Sequence, residues 1–332
     1  MNRRAFLTIA GSAVVSTGVK PEGRVASGFT EAVPAGAKDV RTGGTRMVPV
    51  QGGKYNVWTK RLGESETKVL ALHGGPGFNH VYLECFEDFL PQAGIEFYYY
   101  DQLGCLFSDA PDDASLWTIE RYTDEVEEVR RALGLDHFYL YGHSWGGMLS
   151  YEYALKYGQH LKGLIISDMV ASIPGYVRYA ARLRSEFPPE VVRTMERYES
   201  QSNFDAPEYQ QIIFDQLYHK HICRLDPWPE NIGRSLRFAN PKIYNVMQGP
   251  NEFVITGTLK NWDRTPDLAR IKTRTLVMGA RYDTMDPDEM RRTASAIPGA
   301  RAVISETGSH LAMYDDQEWY FRQLIQFLQE QA

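Results

Sequence analysis

The stretch Tyr139–Gly147, Tyr-Leu-Tyr-Gly-His-Ser-Trp-Gly-Gly, constrains this chain more than any other. A short apolar run with β character breaks at Gly142 and gives way to a helical pattern from Trp145 onward. Ser144 sits at the break inside Gly-x-Ser-x-Gly. Glycines two before and two after the serine let a strand fold sharply into a helix without side-chain collision, which holds the Ser144 hydroxyl out into a cleft. A hydroxyl is a poor nucleophile at neutral pH. The turn therefore has chemical meaning only if the rest of the chain supplies a base and amide N–H groups for a developing oxyanion.

On either side of this stretch the pattern alternates between strand and helix. Met47–Gln51 and Lys54–Lys60, split by Gly52-Gly53, read as an antiparallel hairpin that opens a sheet. Lys68–Leu72 reads as the next strand and runs into His73-Gly74-Gly75-Pro76-Gly77, a turn whose backbone N–H groups can point inward. Glu96–Asp101 is a further buried strand. Leu116–Leu133 carries Ile119, Tyr122, Val126, Val129 and Leu133 at helical spacing, with Gly134 as its stop. After the Ser144 elbow, Met148–Tyr157 continues as a helix and Leu161–Ser167 as a strand. This rhythm predicts a mostly parallel sheet covered on both faces. From about Ile173 to Trp262 no strand is expected. That polar, aromatic, proline-broken region reads as an inserted helical cap. The α/β rhythm resumes with a strand over Thr273–Met278, a helix near Pro287–Ala296, a strand over Arg301–Ser305 and an amphipathic helix over Asp316–Gln329. The expected division is 1–45 as a leader and linker, 46–172 as the first part of the core, 173–262 as the cap and 263–332 as the second part of the core.

The leader is read from Met-Asn-Arg-Arg-Ala-Phe-Leu. Two adjacent arginines precede an uncharged, mildly apolar stretch from Ala5 to Val19, the layout of a twin-arginine export signal. That stretch falls short of the ~20 strongly apolar residues of a permanent spanning helix. Export to the periplasm is expected, with no stable membrane insertion after processing. Cys85, Cys105 and Cys223 are widely spaced and odd in number, so no disulfide framework is expected. A net charge of −6 and a pI near 5.8 argue against nucleic acid as the main partner.

In an open α/β sheet, ligands gather at the carboxyl ends of the strands. Ser144, Asp283 and His310 each fall just past such an end. The order Ser, Asp, His along the chain is that of an α/β hydrolase and not of other serine-protease architectures. His310 would take the proton from Ser144, and Asp283 would orient the imidazole. Asp286 and Asp288 compete with Asp283 in its loop, and His143 and His73 are rivals to His310. In an enzyme of this kind the glycine-rich loop, at Gly75, and the amide of Trp145 would form the oxyanion hole. No metal motif appears: His219 and His221 are two apart, which on a helix points them to different sides, and no paired-cysteine or His-Glu-x-x-His pattern is present. No cofactor is expected.

His73-Gly74-Gly75-Pro76-Gly77, Asp101-Gln102-x-Gly104, Gly142-His143-Ser144-Trp145-Gly146-Gly147 and the late Asp283 and His310 together resemble the prolyl aminopeptidases (proline iminopeptidases) and their amino-acid amidase relatives, from about Met47 to the C-terminus. Gly249-Pro250-Asn251-Glu252-Phe253, followed by Gly257-Thr258-Leu259-x-x-Trp262-Asp263, looks like the cap segment whose glutamate binds the substrate's free α-amino group in that family. The resemblance thus implies Glu252 as the specificity residue, with Asp226, near Trp228, as a second acidic position. The sequence departs from the family where Leu103 and Leu106 replace an arginine and a glycine, a variant that leans toward the amidase side and leaves proline preference open.

The expectation is therefore a serine hydrolase of α/β-hydrolase fold, with a mostly parallel sheet and a helical cap. It would release an N-terminal amino acid from short peptides, amino-acid amides or aminoacylated metabolites through an acyl-enzyme on Ser144. Two alternatives stand beside it: a carboxylesterase or lactonase in which Glu252 is idle, and a low-turnover binding protein that keeps the fold.

Overall fold

The computed structural model describes residues 42–330. The export-signal expectation lies outside the described residues, as does nearly all of the linker. Eight strands form one sheet: β1 (Thr45–Val50), β2 (Tyr55–Leu62), β3 (Lys68–Leu72), β4 (Glu96–Tyr100), β5 (Phe138–His143), β6 (Leu161–Ser167), β7 (Thr275–Ala280) and β8 (Arg301–Ser305), in the spatial order 1-2-4-3-5-6-7-8. β1 and β2 pair antiparallel, as do β2 and β4; every other pairing is parallel. The helices are α1 (Ile119–Leu133), α2 (Trp145–Tyr157), α3 (Ile173–Ser185), α4 (Pro189–Ser200), α5 (Pro207–Ile212), α6 (Glu230–Arg237), α7 (Pro241–Met247), α8 (Pro287–Ala296), α9 (Ala312–Asp315) and α10 (Gln317–Gln329).

The central strands are buried on both faces, which is why they read as apolar runs and not as an alternation. Side-chain alternation sends Leu70 and Leu72 toward Tyr122, Val126 and Val129 of α1 and Leu149 of α2. It sends Val69 and Ala71 to the opposite face, against Phe86 and against Phe321 and Leu324 of α10. The chain leaves β3 in one direction to make β4, then returns to the other side of β3 to make β5. This reversal opens a crevice at the carboxyl ends of β3 and β5, the ends that carry the glycine-rich loop and Ser144.

The helix predicted over 116–133 starts at Ile119. Residues Ala114–Leu116 form a separate 3-10 turn, and the Thr118 hydroxyl accepts from Arg121 N at 3.2 Å as the N-cap. Gly134 ends it in the left-handed conformation, φ 67°. The strand predicted over 273–278 runs from Thr275 to Ala280, since Gly279 and Ala280 stay in the ladder opposite Ile304 and Ser305. A 3-10 helix over His80–Asp88, with Asn79 as its cap, has no counterpart in the sequence reading.

Between β6 and β7 lie α3 to α7, with a π-helix at Ile213–Ile222 between α5 and α6. No named strand occurs in this segment. Its ends are pinned side by side: Ser172 bridges Asp263, Ile173 N donates to Trp262 O at 2.9 Å, and Arg264 N donates to Ala171 O at 2.8 Å. The chain thus leaves and re-enters the sheet at one point.

Candidate active site

Ser144 is the N-cap of α2 and holds φ 54°, ψ −122°, a conformation costly for any residue with a side chain. The surrounding packing over-determines it. A Cβ on Gly142 would fall 2.1 Å from Gly146 O, and one on Gly146 would fall 2.3 Å from Leu72 O. Only glycine allows this approach of strand and helix, and the turn leaves Ser144 lining a cavity at the strand ends.

His310 lines the same cavity. Its Nδ1 donates to Asp283 Oδ1 at 2.7 Å, which leaves Nε2 as the nitrogen available to a hydroxyl. Burial works against the imidazolium, but the Asp283 charge and hydrogen bond outweigh it, so the pKa of His310 lies above the ordinary 6.5. The rivals are accounted for. Asp286 caps α8, its side chain accepting from Asp288 N, and Asp288 pairs with Arg291. His73 and His143 are both buried, and their ring nitrogens are engaged in hydrogen bonds with neighbouring groups.

His73 Nε2 accepts from Gln102 N at 3.1 Å, so Nδ1 carries the proton and donates to Gly74 O at 2.8 Å. Burial pushes its pKa down to about 4, which keeps the ring neutral. The carbonyl of Gly74 and the N–H of Gly75 belong to one planar peptide and point in opposite directions. Holding Gly74 O toward His73 therefore turns the Gly75 N–H the other way, and Gly75 lines the cavity beside Ser144. Gln102 ties the arrangement together, since its Nε2 donates to His73 O at 3.1 Å and its Oε1 accepts from the Trp145 indole at 2.8 Å. The Trp145 amide is at the first position of α2, where N–H groups have no intrahelical partner. Gly75 and Trp145 thus offer two donors at the elbow.

The Gly74 N–H is engaged elsewhere: it donates to the Tyr82 phenol at 2.6 Å. His143 Nε2 lies 2.8 Å from His310 O and must donate to that carbonyl, so His143 Nδ1 accepts from Tyr82 OH at 3.0 Å. Burial, followed by the nearby His310, pushes the pKa of His143 well below 6.5, in keeping with this neutral relay. Tyr82 and His143 therefore link the glycine-rich loop to the backbone of His310. Tyr82 lies on the 3-10 helix, and nothing in its local sequence marks it.

The helical segment supplies the other wall. Asn251 Oδ1 accepts from Phe253 N at 2.9 Å and Val254 N at 3.1 Å, a side-chain-closed turn that presents Glu252 to the cavity. Gly249, at φ 131°, lets the turn close, because a Cβ there would meet Val254 O at 2.5 Å. Tyr244 OH donates to Glu252 Oε1 at 2.5 Å, and Tyr176 OH reaches Oε2 at 3.3 Å as well as the Glu252 carbonyl. Burial raises the pKa of Glu252 above 4.5, with Tyr244 and His310 acting in the opposite direction. Glu252 forms no ion pair among the described residues. The segment is also tied to the loop of His310: His310 N donates to His221 O at 3.0 Å and Leu311 N to Ile222 O at 2.9 Å. His221 Nδ1 in turn donates to Tyr282 O beside Asp283.

Two expectations are placed elsewhere. Asp226 is exposed on the loop before α6 and does not line the cavity that holds Ser144, His310 and Glu252. The loop carries Trp228 into the wall and leaves Asp226 in solvent. The 257–263 stretch packs on α2, where Trp262 Nε1 and Arg264 meet Glu152. Among the described residues no group of three or more His, Cys, Asp or Glu side chains is placed to hold a metal ion.

Residues 68–317 match the family model of the alpha/beta hydrolase fold. The chain is 45% identical over 290 residues to the proline iminopeptidase of Flavobacterium johnsoniae, covering 86% of this chain and 98% of that one. It is 46% identical over 291 residues to that of Elizabethkingia meningoseptica, with the same coverage of each. The crystal structure of the Mycobacterium smegmatis proline iminopeptidase superposes with a TM-score of 0.79 at 30% identity, covering 86% of this chain and 97% of that one. With the serine elbow, the Asp-supported histidine and the glycine-rich loop lining one cleft, these likenesses settle the kinship: the chain belongs to the alpha/beta hydrolase fold family and, within it, to the proline iminopeptidases.

Proposed function

We propose that this protein is a serine aminopeptidase that releases N-terminal proline, or another small apolar residue, from short peptides and amino-acid amides. The observation that carries the reading is Glu252, a carboxylate held by two tyrosines, without a cationic partner among the described residues, on the wall that faces Ser144 and His310. A free α-ammonium supplies the missing cation. An N-blocked substrate would leave the carboxylate desolvated and unpaired, which gives the site its discrimination. With the ammonium held there, Ser144 Oγ attacks the first carbonyl while His310 Nε2 takes its proton. The Gly75 and Trp145 N–H groups receive the oxyanion, and His310 then protonates the departing amine. Water, activated by the same imidazole, releases the amino acid.

The segment 173–262 acts as a cap that closes the cleft to long folded chains and favours dipeptides, amides and aminoacylated metabolites. Prolyl-naphthylamide compared with its N-acetyl form tests the reading: cleavage of both at equal kcat/KM would replace it with an esterase or lactonase. A Ser144→Ala variant that retains the biological response would instead favour a binding role. The twin arginines support export to the periplasm through the twin-arginine route. Replacing Arg3 and Arg4 with lysine is expected to strand the precursor in the cytoplasm, and undisturbed export would remove that part of the proposal.

A further inference from the structure

A second buried acid stands behind the catalytic one. Asp168 follows β6 directly; its N–H donates to Met278 O at 2.8 Å and its φ is 52°. Asp168 and Asp283 are both fully buried. Each carboxyl has one oxygen satisfied. Asp283 Oδ1 accepts from His310 Nδ1, and Asp168 Oδ2 accepts from Ser167 Oγ at 2.5 Å. Asp283 Oδ2 and Asp168 Oδ1 are buried with no conventional partner among the described residues. The two side chains nevertheless lie within hydrogen-bonding reach of each other. Two carboxylates in contact and shielded from water cannot both carry charge, whereas a single proton between them satisfies both orphaned oxygens.

We propose that Asp168 is a positioning residue for the triad: its carboxyl is protonated and donates from Oδ1 to Asp283 Oδ2, fixing the plane of the carboxylate that orients His310.

The neighbours decide which acid holds the proton. Asp283 has the His310 imidazole at 2.7 Å to stabilise its charge. Asp168 pairs with no lysine or arginine among the described residues. The His143 ring lies beside it, with Nε2 3.9 Å from Oδ2, but its proton goes to His310 O. The other titratable groups acting on the pair are Asp315, Tyr82 and Tyr320 around Asp168, and Glu252, Tyr176, Tyr179 and His221 around Asp283, the last held below the ordinary imidazole value by burial. None of them brings positive charge to Asp168. Burial and then the Asp283 charge push Asp168 well above the carboxylate range. Behind it, Ser167 Oγ is 2.8 Å from Tyr320 OH, which is 2.5 Å from Tyr141 OH. The buried network thus runs from the sheet to the catalytic imidazole.

The inference rests on the triad reading, so one of its readouts is independent of catalysis. At pH 7 the unfolded chain ionises both acids, so unfolding of wild type is expected to release one proton more than unfolding of Asp168→Asn, measured by calorimetry in buffers of different ionisation enthalpy. The amide of that variant keeps a donor, so the acid limb of kcat/KM in Asp168→Asn should superimpose on that of wild type, with a loss of rate below about threefold. Asp168→Ala strands Asp283 Oδ2, which should lower kcat/KM about tenfold or more and move the acid limb to higher pH, because the undonated carboxylate favours the imidazolium. Equal proton release by wild type and Asp168→Asn, with an acid limb displaced to lower pH in the variant, would show that Asp168 is charged and overturn the proposal. An Asp168→Ala protein matching wild type in rate and profile would overturn it equally. A failed triad, by contrast, would show as activity retained in Ser144→Ala while the proton count stood.

Discussion

Replacing Glu252 with glutamine tests the amino-group reading most directly. Gln keeps the volume and an oxygen for the Tyr244 phenol, so the turn closed by Asn251 should persist. What disappears is the charge that would pair with the ammonium. Truncating one partner of a buried, hydrogen-bonded charge pair costs about 2–5 kcal/mol. Because the shape and an acceptor survive, the loss should fall in the lower part of that range, about 2–4 kcal/mol. At about 1.36 kcal/mol per decade this is roughly a 30- to 1000-fold fall in kcat/KM for a prolyl-naphthylamide. The N-acetyl substrate never makes the pair, so its slow cleavage should hold or rise, and the ratio between the two substrates should narrow by the same factor. A loss below about threefold, or one equal for both substrates, would refute the assignment, because the carboxylate would then be a passive part of the wall.

Other consequences follow from the same geometry. His310 is held above 6.5 by Asp283 and must be neutral to accept the Ser144 proton, so kcat/KM should fall as pH drops through a value above 6.5. Glu252, raised above 4.5, adds a further inflection in the same direction, which Glu252→Gln should remove, while the His310 inflection persists and moves to lower pH because the Glu252 charge helps to hold it up. His73→Ala frees the Gly74 carbonyl and with it the Gly75 N–H; kcat should drop about 10- to 100-fold with little change in KM, since only the oxyanion depends on that peptide. Tyr82→Phe strands the Gly74 N–H and His143 Nδ1, an expected loss of about 1–3 kcal/mol in a urea titration, while unchanged stability would mean the relay is idle. Gly146→Ala drives a Cβ into Leu72 O and should prevent accumulation of folded protein or destabilise it by more than about 3 kcal/mol.

Much of this architecture was legible in the sequence because it depends on short-range chemistry. The Gly142-x-Ser144-x-Gly146 spacing announces the elbow, with Gly142 meeting Gly146 four residues on, although Gly146 itself is required by the distant Leu72 carbonyl; the apolar runs of β3, β5 and β6 announce a sheet covered on both sides. The turn at Gly249–Phe253 is closed by its own Asn251, but only the family resemblance pointed to Glu252, and the tertiary fold is what brings it to the cavity wall. Asp226 shows where such matching stops: an acidic residue near Trp228 fits a pattern, yet the backbone of that loop leaves it in solvent and turns the tryptophan inward.

What the amino acids determined by themselves, then, is the list of parts and their order along the strand ends: a strained serine, a carboxylate, an imidazole and a glycine-rich turn. The tertiary structure alone decided which oxygen, nitrogen and peptide plane face one another. Tyr82, His143 and Asp168 carry no local signature, because their roles exist only across the sheet, where Tyr82 meets Gly74, His143 meets the His310 carbonyl and Asp168 meets Asp283. Hydrogen-bond direction and shared protonation are properties of neighbours in space, and in a dry interior every such group must find a partner wherever the fold happens to bring one.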